Sequence, residues 1–249
     1  MHSRSYIISL PVNNLSFSES LSEVSNRGLR HSPGFVCFAN VHMTIEAYND
    51  SSFRQNLDKA LLILPDGKPL AVACKWLYKK TQERISGMDF MPAILEQAHK
   101  NKAKVFLYGS TEKVLDNIKD RIRSKYPNAI VAGSISPPFR ELSVEEANDH
   151  IRRINESGAH FVLVALGCPR QEKWMAAHYN SINAVLLGLG GAFPVTAGLQ
   201  KRSPKWMQHM SLEWLYRLLQ EPRRLFKRYF YTNSVFMWLL AKELMKHRS

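Results

Sequence analysis

The stretch His160-Phe-Val-Leu-Val-Ala-Leu-Gly-Cys-Pro-Arg-Gln-Glu-Lys-Trp174 decides the fold. Its first half is a continuous apolar run, the pattern of a strand covered on both faces. Gly167-Cys168-Pro169 then turns the chain, and Arg170, Gln171, Glu172 and Lys173 open a helix. In an open α/β sheet, ligands sit in the crevice beyond the strand carboxyl ends. N–H groups at a helix start add partial positive charge there. An ordinary strand–turn–helix corner has the same pattern. The polar side chains crowded at this one point to a site for an anion.

Working outward, five more short apolar runs read as buried strands: 35–38, 61–64, 105–108, 129–132 and 184–189. Amphipathic segments separate them. Residues 111–126 place Val114, Leu115, Ile118 and Ile122 on one helical face. Ser143-Val-Glu-Glu146 fits a capping box, and Gly158 supplies a stop for that helix. Strand–helix alternation predicts an α/β fold, a Rossmann-like and mainly parallel sheet flanked by helices. Residues 1–200 read as this domain. Residues 201–249 read as a basic, amphipathic helical C-terminal appendage, interrupted at Pro222.

With 249 residues and 45% hydrophobic content, the chain can bury a sizeable core. Cys37, Cys74 and Cys168 fit neither a disulfide framework nor a zinc site, which suits a reducing compartment. The start of the chain lacks a signal-peptide pattern. No window reaches the roughly 18 apolar residues of a membrane span. Net charge is +13, and 201–249 carries eleven Lys/Arg against three Glu. A basic segment interleaved with Phe226, Tyr229, Phe230, Tyr231, Phe236 and Trp238 suits an anionic membrane interface. A terminal helix packed on the core with a solvated basic face fits the same residues. The charge also raises a nucleic-acid or anion-binding protein without catalysis, but no nucleic-acid motif accompanies it.

Two more strand ends carry polar tips. Asp66 follows Leu62-Ile-Leu-Pro65 and precedes Gly67, where a carboxylate suits a general base or the N-cap of the next helix. Asn40 follows Phe35-Val-Cys-Phe-Ala39, again as site residue or N-cap. Arg84 is either a surface ion pair or a forked donor for a phosphate or carboxylate. Gly188-Leu-Gly-Gly-Ala192 permits close backbone approach to a ligand. The scattered His42, His160 and His178 give a metal site little support, and no Asp-x-Asp pair occurs.

Six blocks in this order resemble the WecG/TagA/CpsF glycosyltransferases over residues 34–228. They are Pro65-Asp-Gly67, Glu83-Arg-Ile-Ser-Gly87, Ala165-Leu-Gly-Cys-Pro-Arg-Gln-Glu-Lys-Trp174, Gly188-Leu-Gly-Gly-Ala-Phe193, Lys201-Arg-Ser-Pro204 and Leu212-Glu-Trp-Leu-Tyr-Arg217 with Glu221-Pro222. The resemblance implies an inverting, metal-independent transferase without a cofactor. It would move a sugar from a UDP-sugar to a polyprenyl-diphosphate-linked saccharide. It would sit peripherally on the cytoplasmic face of the membrane, and some members self-associate. Asp66 matches the catalytic base, and Arg84 and Gln171 match active-site residues. Asn40 matches a pocket asparagine. Gly67, Gly167, Pro169, Gly190 and Gly191 fall in the matching substrate-binding blocks. Arg217, Arg224, Lys227 and Arg228 match appendage cations that reach a diphosphate. At 38–42 the chain has Phe-Ala-Asn-Val-His where many members carry a Thr-Pro-Asn-like run. The sugar identity is therefore not carried over, and an inactive regulatory relative stays conceivable.

Overall fold

The six apolar runs form one sheet. The computed structural model describes residues 3–210 and 212–246, apart from the side chains of His209 and Arg224. Strands β1 (Arg4–Ile7) and β2 (Leu10–Asn13) make an antiparallel hairpin. Then follow α1 (Phe17–Leu29), β3 (Gly34–Ala39), α2 (Val41–Asn49), α3 (Ser51–Asp58), β4 (Leu62–Pro65) and α4 (Lys68–Tyr78). Next come α5 (Gly87–Asn101), β5 (Lys104–Gly109), α6 (Glu112–Lys125), β6 (Ile130–Ile135), α7 (Val144–Glu156) and β7 (Phe161–Ala165). After α8 (Arg170–His178) and β8 (Val185–Gly188) come α9 (Phe193–Thr196), α10 (Lys205–His209), α11 (Glu213–Gln220) and α12 (Pro222–Lys246).

The sheet order is β4-β3-β8-β7-β5-β6, and every neighbouring pair is parallel. Alternation of side chains splits each strand between two cores. Cys37, Ile63, Val162, Val164 and Leu186 face one core, with Met43, Phe53, Leu70, Cys74 and Met175 from α2, α3, α4 and α8. Val36, Leu62, Leu64, Leu163 and Leu187 face the other, with Val24, Phe90, Ile94, Leu115 and Ile118 from α1, α5 and α6. The helices leaving β3 and β7 pack on the first face. Those leaving β5 and β8 pack on the second. Neighbouring strands thus send the chain to opposite sides, which opens a crevice at their carboxyl ends.

Local signals act as their chemistry requires. Ser143 and Glu146 form the capping box of α7. Gly158, just past that helix, has φ +65°. The hairpin was not anticipated, because two four-residue strands carry little periodicity. It protects the sheet: Asn13 Oδ1 accepts the N–H of Ile63 on edge strand β4 at 2.8 Å. Helix α12 lies on the first face, with Phe236, Leu239 and Leu240 buried in its core. Burial of each such side chain contributes about 1.5–3 kcal/mol. Glu243 adds a tie by accepting the N–H of Ile8 at 2.9 Å.

Candidate active site

Strand pairing brings the polar tips together. The Asp66 N–H donates to the carbonyl of Ala39 at 2.7 Å, which sets Asp66 beside Asn40. A Cβ on Gly67 would stand 3.9 Å from Asn40 Cα and Cβ. Asn40 is a true N-cap, since its Oδ1 accepts from Met43 N at 3.1 Å. Asp66 is not: Gly67 caps α4, with no side-chain cap bond. Its carboxylate is left for other work.

That carboxylate meets a charged and polar neighbourhood. Burial pushes Asp66 up to about 7, against the pull of the Ser86 hydroxyl and the Arg84 and Arg217 guanidiniums. Glu213 pushes the same way as burial. Ser86 arrives because Ile85 N donates to Pro65 O at 2.8 Å, docking the loop before α5 on the end of β4. Arg84 donates to Glu213 and lies 3.4 Å from Asp89. Arg202 closes the set, at 2.7 Å from Asp89 and 3.3 Å from Glu213. Two arginines and two acids thereby tie α11 to the start of α5. Arg84 is an ion-pair residue, but it sits at the crevice rather than on open surface.

Gln171 lies across the sheet from this group. Its Nε2 donates to Glu172 Oε1 at 2.7 Å and to Gly188 O at 3.3 Å. Gln171 is 6% exposed and Glu172 is fully buried. Glycine at 190 leaves room for this amide: a Cβ there would stand 2.7 Å from Gln171 Oε1 and displace it. Gly167 has φ +79°, and the Cys168–Pro169 bond is cis. Trp174 stacks on Tyr108 of β5, ring centroids 4.2 Å apart, which seats α8 against the sheet. Arg217 bridges the halves by donating to Gly191 O at 3.3 Å.

The remaining appendage cations differ. Arg228 lies over the Tyr229 ring at 5.5 Å, and its Nε is buried without a hydrogen-bond partner. It also acts on His42, which burial first and Arg228 second hold below the usual histidine range. Lys227 is exposed. The side chain of Arg224 lies outside the described residues. Phe38, at the departure from the family pattern, is buried against Phe90 with ring centroids 5.1 Å apart. It therefore belongs to the second core, not to the crevice lining. Among the described residues, no three His, Cys, Asp or Glu side chains are grouped to hold a metal ion.

The profile of the "Glycosyl transferase WecG/TagA/CpsF family" matches residues 5–249. The chain belongs to this family. A relative from Bacillus subtilis (strain 168) is 33% identical over 76% of this chain and 72% of its own length. One from Bacillus spizizenii is 32% identical, over 86% and 84%. One from Staphylococcus aureus (strain MW2) is 29% identical, over 85% and 81%. All three are named N-acetylglucosaminyldiphosphoundecaprenol N-acetyl-beta-D-mannosaminyltransferase. As a member of a glycosyltransferase family, the chain has its polar groups where a Rossmann-like sheet holds ligands.

Ser86, Asp89, Glu172, Arg202 and Glu213 were not singled out as site residues from the sequence. Ser86, Glu172, Arg202 and Glu213 lie inside the blocks that carried the resemblance, which was the available signal. Asp89 has none, because its ion pair with Arg202, far away in sequence, leaves no local pattern.

Proposed function

We propose that this chain transfers a sugar, with inversion, from a UDP-sugar to a saccharide on a polyprenyl diphosphate. The carrying observation is Asp66 at the end of β4, free of capping duty and flanked by Arg84 and Arg217. The relatives' names supply the acceptor class, a polyprenyl-diphosphate-linked N-acetylglucosamine. In this scheme Asp66 takes the proton from the attacking acceptor hydroxyl. The new glycosidic bond forms as the bond from the anomeric carbon to the UDP oxygen breaks. The leaving diphosphate carries off that electron pair, and Arg84, Arg217 and the N–H groups at the start of α8 take up its charge. Cationic side chains do here what a metal ion does in other transferases. Arg84 and Arg202 now hold Glu213 and Asp89, and a diphosphate would take over those guanidinium contacts.

In this reading the chain sits peripherally on the cytoplasmic face of a membrane, and its exposed aromatic residues support contact with a bilayer. Among the described residues, no helix is long and apolar enough to cross a membrane. The appendage exposes Trp206, Trp214, Phe226 and Phe230 beside its basic residues. The family match lends nothing to the nucleic-acid reading. The test is transfer from a UDP-sugar panel to a lipid-linked acceptor, in the presence of EDTA. Asp66→Asn should lose about 10²- to 10⁴-fold in kcat while staying folded. Near-native transfer by that variant removes Asp66 as the base.

A further inference from the structure

The buried acid beside Gln171 has no role in that scheme. Glu172 sits in the first turn of α8, with no exposed surface. Its Oε1 accepts from Gln171 Nε2 at 2.7 Å, while its Oε2 has no hydrogen-bond partner. The Cys168 thiol lies against the same carboxyl. Burying a carboxyl with an oxygen unmatched costs stability. Packing therefore gives no reason for an acid at 172.

The Gln171 amide gives one. Its NH2 end faces two acceptors, Glu172 Oε1 and Gly188 O. Those partners decide which end of the amide is nitrogen. The other end, Oε1, is buried and has no hydrogen-bond partner, and it lies 2.7 Å from where a Cβ on Gly190 would stand, against that glycine's backbone. An unmatched acceptor at the crevice wants a donor. We propose that Glu172 is a positioning residue. It holds the Gln171 amide so that Oε1 receives a hydroxyl or N–H donor of the substrate, not a phosphate oxygen. This deepens the proposed transferase reading and rests on it for the identity of the substrate.

The test uses the full-length chain, Glu172→Met and Gln171→Ala singly and together. Glu172→Met should keep or raise Tm yet lower kcat about tenfold or more, with KM for the donor little changed. In the Gln171→Ala background it should cost nothing further, because its effect runs through Gln171. Full activity in Glu172→Met, or a loss that adds in full to that of Gln171→Ala, overturns the proposal. A fall in Tm that tracks the fall in activity assigns Glu172 to the core instead. A readout independent of catalysis is hydrogen exchange of the Gln171 side-chain amide, assigned by NMR from its absence in Gln171→Glu. Its protons should exchange slowly in the native protein and faster in Glu172→Met. Equal exchange in the two sinks the proposal even if no donor sugar is ever found. A native enzyme that transfers nothing while this exchange difference holds would instead strike the function reading alone.

Discussion

At the scale of single residues, the carboxyl of Asp66, as the proposed base, should govern both rate and stability. Its proton is held up to about 7 by burial, well above the ordinary aspartate value. A base must be ionised, so kcat/KM should climb as pH rises toward 7 and level off above it. The acid limb should persist in Glu172→Met and be missing from the residual activity of Asp66→Asn. Stability runs the other way. The folded form holds the Asp66 proton more tightly than the unfolded chain does. Its contribution is complete at acid pH, below the unfolded value, and is lost as pH rises through about 7. Asp66→Asn should therefore melt a few degrees above the native protein at pH 8, an advantage that shrinks toward pH 4 in thermal scans. Equal melting profiles at every pH would mean that the carboxyl is not held in this environment. Asp66 and Asn40 looked alike in sequence, each a polar tip before a helix. The cap bonds separate them: Asn40 spends its oxygen on Met43, and Gly67 takes the cap at α4.

At the scale of elements, α12 has two distinct faces. One face buries Phe236, Leu239 and Leu240 in the core. The other exposes Phe226, Phe230, Tyr231 and Trp238. Cutting the chain after Gln220 would strip the core and confound any membrane assay. Point changes separate the roles. Phe236→Ala should cost about 3–5 kcal/mol, read by denaturant unfolding. Phe226→Ser with Phe230→Ser should leave Tm within a degree or two and abolish cosedimentation with anionic vesicles. Undiminished vesicle binding by that pair would show that these rings do not enter the interface. Both readings of the tail, packing and amphipathic, were open in the sequence, and the structure assigns packing to one face. The exposed face keeps the membrane reading as a proposal. Helix α11 was legible as a helix from Ser211-Leu-Glu-Trp-Leu-Tyr-Arg-Leu-Leu219, of which Ser211 lies outside the described residues. Its ion pairs with Arg84 and Arg202 were not.

At the scale of the whole molecule, charge sets the approach to a surface. Net charge is +13, and more than half of the excess lies beyond residue 200. Each basic residue near an anionic leaflet contributes about 1 kcal/mol, and salt screens it over about 8–10 Å. Binding to vesicles rich in anionic lipid should weaken steeply between 50 and 500 mM salt, on the order of tenfold or more. Binding to neutral vesicles should be weak throughout. Affinity that ignores both salt and lipid charge would leave the basic residues without this role.

By itself the amino-acid order determined the six strands of the main sheet, several of the helices and the family, because continuous apolar runs, caps and short motifs are local and each reports on its own neighbourhood. Only the tertiary structure decided which carboxylate is free, which way the Gln171 amide faces, and where the final helix lies. Those outcomes come from strand order and from pairs such as Arg84 with Glu213, whose members meet only after the chain has closed loops of many residues. Contacts of that kind leave no periodicity in the sequence for a reader to find.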